Sequence, residues 1–289
     1  MAEAPKPAAP PAPVAEAPKP TPPPAPPAPK LEFPAASPGA TLKQRAGLTD
    51  FEIVYSRPSI KGRTIFGGLV PYDQVWRTGA NQSTKITFNT PVKFNDVEVP
   101  AGTYALYTIP GEAEWTIILY KNTALWGSFN YDPKDDVVRV KSTPVNLAES
   151  VETFTIEFND LRDESATLGI MWDHTYVPVK VSWDLSSKLV PQIEAVMSST
   201  DSRKPYYQAA MFYYDHGLDL QKAKEWIDAA LKERQAHYMV YLQAEILAKL
   251  GDKQGAIAAA QHSKELAEKA NDSGYVKLNE ALISSLQAQ

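Results

Sequence analysis

Four basic residues lie close together in a part of the chain that has few carboxylates. They are Arg57, Lys61, Arg63 and Arg77, in a protein whose net charge is -5. Guanidinium groups form paired hydrogen bonds with carboxylate, sulfate and phosphate oxygens, so the cluster predicts a site for an anionic ligand. Gly79 and Asn81 follow in the string RTGAN, where small residues let the backbone approach a ligand closely, and Trp76 lies beside them.

A structural role is the alternative for these basic residues. Asp73 and Glu52 are the carboxylates nearest to them in the sequence, and backbone carbonyl groups are further possible partners. Buried arginines in proteins are usually paired, and the pairing is often structural. We therefore favour arginines that fix the loops of the domain, and we keep ligand binding as the second interpretation.

The dipeptide Asp173-His174 could supply a general base or a metal ligand. It follows Trp172 at the end of a predicted strand, so a structural or solvated histidine in a β-turn is the favoured interpretation. The other histidines lie in the C-terminal part without the H-E-x-x-H spacing of a zinc site; they are His216, His237 and His262. The chain also lacks the common nucleotide-binding motifs, so we predict no metal and no cofactor.

Aromatic residues of the same region could form a platform for sugars. They are Trp76, Tyr104, Trp115, Trp126, Phe129, Tyr131 and Trp172. Core packing is the favoured interpretation for the group, because large aromatic residues dominate the cores of β-domains. Asp132, Asp135 and Asp136 form a predicted solvated loop, in which calcium binding is only a minor alternative.

The elements that position these residues are predicted to be short strands. Apolar residues recur with period two from residue 40 onwards, and roughly ten such segments follow at spacings of 8 to 15 residues without a helical pattern between them. The clearest hairpin joins residues 103–109 to residues 115–120. This pattern predicts an antiparallel β-sandwich or jelly-roll domain over residues 37–184.

A Pro/Ala-rich segment precedes this domain. Residues 1–30 contain 13 of the 25 prolines, so we predict a disordered spacer over residues 1–36, with a ligand for a proline-recognising domain as the alternative. The start MAEAPKPAAP has no apolar h-region and is not an intact signal peptide. A stalk of this composition weakly favours a cell-envelope protein.

Helical periodicity begins after the last strand. Residues 188–197 predict a linker helix within residues 185–204, with Pro191 in its first turn. Five more helices are predicted over residues 205–289, where Ala210, Tyr213 and Gly217 recur as Ala244, Leu247 and Gly251 at an offset of 34 residues. That offset is typical of tetratricopeptide repeats. The aromatic residues of this part are expected to pack between helices, and a groove for a protein partner is the alternative.

The composition excludes several classes of protein. A pI near 5.5 gives no reason to expect nucleic acid as a partner. The absence of cysteine excludes disulfides, thiolate nucleophiles and cysteine-based zinc sites. No run approaches the roughly 18 apolar residues that a transmembrane helix needs, so no membrane span is predicted.

Three strings within residues 37–184 are distinctive: RPSIKGRTIFGGLVPYDQVWRTGANQSTKITF, VPAGTYALYTIPGEAEWTIILYKN and WDHTYVPVKV. Together they resemble one exported bacterial family, domain of unknown function 2911. The helical tail resembles an extension that many members carry. The resemblance implies a periplasmic, secreted or envelope-associated β-domain, and it supplies no activity.

We expect a non-catalytic binding or scaffolding module with a possible anionic-ligand site. The candidate ligand-binding residues are Arg57, Lys61, Arg63, Trp76, Arg77, Asn81 and His174. The alternative is a hydrolase for a glycan or anionic substrate, in which His174 and a nearby carboxylate act as acid and base. An enzyme requires His174 and the arginines to converge in one cleft, whereas a scaffold does not.

Overall fold

The structure is a computed structural model that describes residue 31 and residues 33–201 and 203–288. Residues 1–30 and 32 of the predicted spacer lie outside these described residues.

The described residues between 39 and 182 form two antiparallel sheets. In chain order the strands are β1 (Gly39–Ala46), β2 (Thr49–Ser56), β3 (Thr84–Phe88), β4 (Val92–Phe94), β5 (Val97–Val99), β6 (Gly102–Ile109), β7 (Trp115–Tyr120), β8 (Asp136–Ser142), β9 (Val145–Asn159) and β10 (Ser165–Ser182). The first sheet has the order β1-β2-β3-β6-β7-β8, and the second has the order β5-β4-β10-β9. The predicted antiparallel sandwich is confirmed, and β6 and β7 are the predicted hairpin.

The core lies between the two sheets. On β2, Phe51, Ile53 and Tyr55 are buried and the residues between them are not, as expected for a strand with one face towards the core. They share one apolar cluster with residues of the second sheet such as Ile156 and Leu168. Burial of this shared cluster holds the two sheets together.

Strand β7 is buried on both faces. Trp115, Ile117 and Leu119 belong to the core between the sheets. Ile118 and Tyr120 point to the opposite face, where they pack with Tyr107, Leu125 and Tyr131. The loop over residues 121–131 therefore covers part of the outer face of the first sheet, which explains why the apolar residues of this strand do not alternate with polar ones from Ile117 to Leu119.

The predicted strand end and β-turn at Asp173-His174 are wrong. Strand β10 continues from Ser165 to Ser182, and its register against β9 shifts on both sides of Asp173. Asp173 itself has a φ angle of +53°. Bulges of this kind absorb extra residues and bend a strand without ending it, so a polar interruption in the sequence does not mark a turn here.

Six helices follow the sandwich in the described residues. They are α1 (Ser186–Ser198), α2 (Tyr206–Asp215), α3 (Leu220–Glu233), α4 (His237–Lys249), α5 (Lys253–Lys269) and α6 (Ser273–Ala288). None of the described helices is both long enough and apolar enough to span a membrane.

Helix α1 begins earlier than the sequence indicates. The Glu164 carboxylate accepts hydrogen bonds from the backbone N–H groups of Leu185 and Ser186 at 3.2 and 2.8 Å and from the Ser186 hydroxyl at 2.8 Å. These acceptors satisfy N–H groups that a helix start leaves free. Pro191 consequently lies inside the helix, and its predicted first-turn position is wrong.

Residues of the helical part that are 34 positions apart in the sequence occupy equivalent positions in α2 and α4. Ala210 and Ala244 are both fully buried, in α2 and α4. Gly217 and Gly251 follow these helices with φ angles of +62° and +86°, in the left-handed region that glycine adopts at helix ends.

The first helices contact the sandwich directly. Leu185 is buried in the core between the sheets, and Leu189 and Phe212 pack against it. The helical part and the sandwich therefore share apolar contacts.

Candidate functional site

Arg57 is fixed by the second sheet. Its Nε donates to the Phe154 carbonyl at 2.9 Å, and its Nη2 donates to the Thr155 hydroxyl at 2.7 Å. The chain around it also pairs with β9, because Ile60 N donates to Glu152 O and Phe154 N donates to Pro58 O, both at 2.9 Å. The structure supplies this arginine with backbone and hydroxyl partners, as the structural interpretation expects.

Arg63 and Lys61 belong to the same turn. Arg63 is exposed and donates to the carbonyl groups of Ile60 at 2.9 Å and Ser59 at 2.5 Å. The Lys61 backbone N–H donates to Glu152 Oε1 at 3.1 Å, and the Lys61 side chain is exposed. Arg63, like Arg57 before it, thus has carbonyl partners within the protein.

Asn81 and Trp76 also make internal contacts. Asn81 Nδ2 donates to the Ser56 hydroxyl at 3.2 Å. Trp76 is buried in the core, its indole N–H donates to Gly79 O at 3.1 Å, and its ring stacks on Trp172 at a centroid distance of 5.9 Å. The Trp76 ring therefore offers little surface to a ligand.

Arg77 differs from the other arginines of the stretch. Its Nε is buried and has no hydrogen-bond partner. Within the described part of the chain, its guanidinium group makes no hydrogen bond or ion pair to any side chain. Its backbone is held on both sides, because Trp76 and Thr108 exchange N–H···O bonds of 2.7 and 2.9 Å and the Thr84 hydroxyl donates to Thr78 O at 2.5 Å. The residue is rigidly placed and its cation is left without an anion.

The covering loop over residues 121–131 forms one wall beside Arg77. A methyl group placed on Gly127 would lie 3.3 Å from Arg77 Nη1 and 3.2 Å from the Phe129 ring. Gly127 has a φ angle of +64°, and the Tyr107 hydroxyl donates to its carbonyl at 2.9 Å. Glycine at this position permits the close approach of the loop to the guanidinium group.

Two aromatic rings stand exposed on this loop. Trp126 is 59% exposed and Phe129 is 71% exposed, whereas Trp76, Tyr104, Trp115 and Trp172 are buried. Large exposed rings next to a polar group are a common feature of binding surfaces. The structure thus divides the aromatic group: core packing accounts for most of its members, and Trp126 and Phe129 remain available as a platform.

The far end of the loop is tied to β8. The Tyr131 hydroxyl donates to Asp136 Oδ1 at 2.7 Å, and Arg139 Nη2 donates to the Tyr131 oxygen at 2.9 Å. Burial, followed by the hydrogen bond to Asp136, raises the pKa of Tyr131 to about 12.

The acidic residues next to this loop have cationic partners. Asp136 is ion-paired with Arg139, and Asp132 is ion-paired with Lys134 at 2.6 Å. Among the described residues, no group of three or more acidic or histidine side chains could hold a metal ion.

The electrostatics of Arg77 follow from this arrangement. Burial lowers the pKa of its guanidinium group below the usual range, and the nearby Tyr107 opposes the shift. Arginine remains protonated in proteins, so the group is a cation that has lost part of its hydration without gaining a carboxylate. Such a group can bind a carboxylate, sulfate or phosphate through charge-assisted hydrogen bonds. We call Arg77, Trp126, Gly127 and Phe129 the Arg77 site.

His174 lies in a different environment. A cavity of about 150 Å³ is lined by Phe66, Tyr72, Gly111, Glu112, Trp115, Pro144, Val145, Asn146, His174 and Thr175. His174 Nδ1 donates to the Leu147 carbonyl at 3.0 Å, which leaves the Nε2 lone pair free when the ring is neutral. Asp173 Oδ1 is 3.9 Å from Nε2. None of the four predicted basic residues lines this cavity.

A family model described as "Protein of unknown function (DUF2911)" matches residues 37–181. The chain belongs to this family. No curated protein and no solved structure matches the chain. The matched DUF2911 region contains both the Arg77 site and the His174 cavity. The suspected family is therefore confirmed, and its description gives no activity to either site.

The sequence does not predict most residues of the Arg77 site in this DUF2911 protein. Gly127 is not among the candidate residues, and Trp126 and Phe129 are predicted only as members of an aromatic group. Tyr107, which lies beside the site, is predicted only as a strand residue. The available signal is Trp126 next to a glycine in a polar loop, between two predicted strands. Exposed aromatic residues in such loops are more informative than those within strands.

Proposed function

We propose that this DUF2911 protein is an exported, non-catalytic binding module of the bacterial cell envelope, and that it binds an anionic glycan or a related anionic small molecule at the Arg77 site. One observation carries the proposal: a half-buried guanidinium group without an anionic partner lies next to Gly127, in a loop that carries the exposed rings of Trp126 and Phe129. The resemblance of the sequence to exported proteins supports the location.

The charge of Arg77 favours an anion over a neutral ligand. A partly desolvated cation loses favourable interactions with water, and the lost energy is recovered when a carboxylate or sulfate takes the place of water. Because the Arg77 backbone is already held near Thr78, Thr84 and Thr108, binding has to order the side chain but not the main chain. The backbone of the site is therefore preorganised for one anionic group.

The exposed rings favour a sugar as the carrier of that group. The apolar face of a pyranose ring can pack on an indole or phenyl ring, and Trp126 and Phe129 offer such faces without a change in the core. Since Phe129 and the Arg77 guanidinium group flank the same glycine, one ligand can contact both. A uronic acid or sulfated sugar combines the two features.

A tetramer of galacturonic acid and its methyl ester test this proposal, because they share a sugar backbone and differ in charge. Isothermal titration calorimetry with the full chain is expected to show binding of the acid and at least about tenfold weaker binding of the ester, since a charge-assisted hydrogen bond contributes about 1.5–3 kcal/mol. Arg77→Met is expected to weaken binding of the acid by a similar factor. The matched control Arg63→Met removes an exposed arginine with carbonyl partners and should bind as the wild type does.

Three results contradict the proposal. The first is equal binding of the acid and the ester, and the second is unchanged binding by Arg77→Met. The third is the failure of the tetramer, of glucuronate and of sulfated galactose to bind at all. Trp126→Ala tests the contribution of the aromatic ring separately from that of the Arg77 charge. It should weaken binding of the tetramer but leave binding of small anions unchanged.

A hydrolase is the second candidate function, and the His174 cavity is the observation that favours it. Glu112 and His174 line the same cavity, and His174 Nε2 is free to accept a proton from water or a substrate hydroxyl. Glu112 would then serve as the acid. Nitrophenyl esters and glycosides are suitable substrates, and turnover that persists unchanged in both His174→Ala and Glu112→Gln excludes this candidate.

A further inference from the structure

Tyrosines line one side of the helical part. On α4, Tyr238, Tyr241, Glu245 and Lys249 follow at intervals of three or four residues, which places them on one face of the helix. Tyr207 and Tyr214 of α2 and Tyr275 of α6 contact these side chains. Met211 lies between Tyr207 and Tyr214 at helical spacing, and Leu278 follows Tyr275 by three residues, so the spacing places both on the same surface. We call this surface of α2, α4 and α6 the tyrosine face.

The rings contact one another across the helices. Tyr207 of α2 meets Tyr238 of α4 at a centroid distance of 5.3 Å, and Tyr241 of α4 meets Tyr275 of α6 at 5.6 Å. Both contacts are edge-to-face, an arrangement that leaves the faces of some rings free. The tyrosines are all partly exposed, so the rings are accessible from solvent.

Glu245 lies among these rings. It is partly buried, and it has no ion pair within the described part of the chain. Burial raises the pKa of its carboxyl group, Asp215 acts in the same direction, and Tyr241, Tyr214 and Lys249 oppose the shift. A carboxylate in such a position is stabilised by a cation that comes close to it.

The protein itself shows how a cation fits this surface. Lys249 Nζ lies 3.7 Å from the centroid of the Tyr214 ring. The guanidinium carbon of Arg234 lies 5.8 Å from the centroid of Tyr238 at the edge of the same surface. An ammonium group is attracted to the negative face of an aromatic ring, and the attraction grows when water is excluded. The rings of Tyr241 and Tyr275, next to Glu245, have no such cation within the described residues.

We propose that the tyrosine face binds a lysine-bearing segment of a partner protein, with the lysine ammonium group placed between the tyrosine rings and Glu245. The exposed side chains of Met211 and Leu278 would contact apolar parts of the same segment. Asp215 adds a second negative charge on the α2 side. This inference rests on residues of the helical part alone and is independent of the Arg77 site.

A pair of synthetic peptides tests the inference with the full-length chain. The first is a fluorescein-labelled dodecapeptide of serine, leucine and two lysines, and the second has both lysines acetylated. Fluorescence anisotropy is expected to show at least tenfold weaker binding of the acetylated peptide, because acetylation removes the cation and leaves the rest of the segment unchanged.

Three variants locate the interaction. Glu245→Gln keeps the shape of the side chain and should weaken binding of the lysine peptide about tenfold. Glu225→Gln is the matched control: it removes an exposed carboxylate from α3 and should not change binding. Lys249→Gln removes the internal cation from Tyr214 and should strengthen binding a few-fold. This opposite sign cannot arise from a loss of folding.

Three results overturn the inference. The lysine peptide fails to bind at millimolar concentration, the acetylated peptide binds equally well, or Glu245→Gln and Glu225→Gln weaken binding to the same extent. The last result would mean that the general negative charge of the protein attracts the peptide without a specific site.

Discussion

Replacement of Arg77 by methionine should stabilise the unliganded protein. Methionine fills a similar length of side chain without a charge, and it removes a buried Nε that has no hydrogen-bond partner. An unsatisfied buried donor costs about 1–3 kcal/mol, and we take about 1 kcal/mol because the guanidinium group is only half buried. For a domain of this size that gain corresponds to an increase in Tm of about 2–4 °C.

Arg57→Met is the matched comparison, because it makes the same chemical change at an arginine that has partners. It removes the bonds from Nε to Phe154 O and from Nη2 to the Thr155 hydroxyl. A hydrogen bond to a charged group contributes about 1.5–3 kcal/mol, and two are lost here, so the free energy of unfolding should fall by at least that amount. The two substitutions should therefore change stability in opposite directions.

Urea denaturation and differential scanning calorimetry of the three proteins measure the effect without any ligand. A loss of stability in Arg77→Met as large as that in Arg57→Met would refute the reasoning, because it would show that Arg77 holds the covering loop in place. An unchanged slope of the urea transition confirms that the comparison concerns the folded state.

Two further predictions concern stability. The pKa of Tyr131 is raised to about 12 in the folded protein, so its contribution to stability is present below about pH 10 and is lost as the pH rises from about 10 to 12. The urea midpoint of the wild type should fall more steeply across this range than that of Tyr131→Phe, and parallel curves would contradict this. Glu164→Ala leaves the backbone N–H groups of Leu185 and Ser186 without their acceptor. It should lower the free energy of unfolding by about 0.5–2 kcal/mol, as the loss of a helix cap does, and a change within experimental error would show that water replaces the carboxylate.

Local sequence patterns predict most of the fold, because strand alternation and helix ends depend mainly on neighbouring residues. The alternation of Phe51, Ile53 and Tyr55 identifies a strand with one buried face, and the same alternation recurs in most of the sandwich. The Gly217 and Gly251 positions mark helix ends by their backbone conformation. These signals require no knowledge of distant residues.

Two elements have bounds that differ from the predicted ones. In each case the structural cause either lies far away in the sequence or leaves no signal in it. Strand β10 passes through Asp173 by means of bulges, which a polar interruption does not distinguish from a turn. Helix α1 starts early because its first N–H groups bind Glu164, about 20 residues before it in the chain.

The candidate site also depends on contacts that the sequence does not reveal. Arg57 and Arg77 are the same residue type in one cationic stretch, and the sequence gives no reason to separate them. The partners of Arg57 are supplied by β9, 97 residues further along the chain for Phe154. The Arg77 guanidinium group lies near Gly127 and Tyr107, and its buried Nε has no hydrogen-bond partner among the described residues. The type of residue predicted the chemistry, and the tertiary fold decides which arginine is free to perform it.

The turn that carries Arg57 and Arg63 also bears on how the protein resists aggregation. Strand β9 is the outermost strand of the second sheet, and an open edge offers unpaired N–H and C=O groups to any other chain. Here Ser59 pairs with Thr153, and the bonds of Pro58 and Ile60 occupy the backbone groups on either side. Two of the basic residues first considered as ligand-binding groups thus belong to a turn that closes part of this edge, so a second chain cannot add to β9 where the turn covers it.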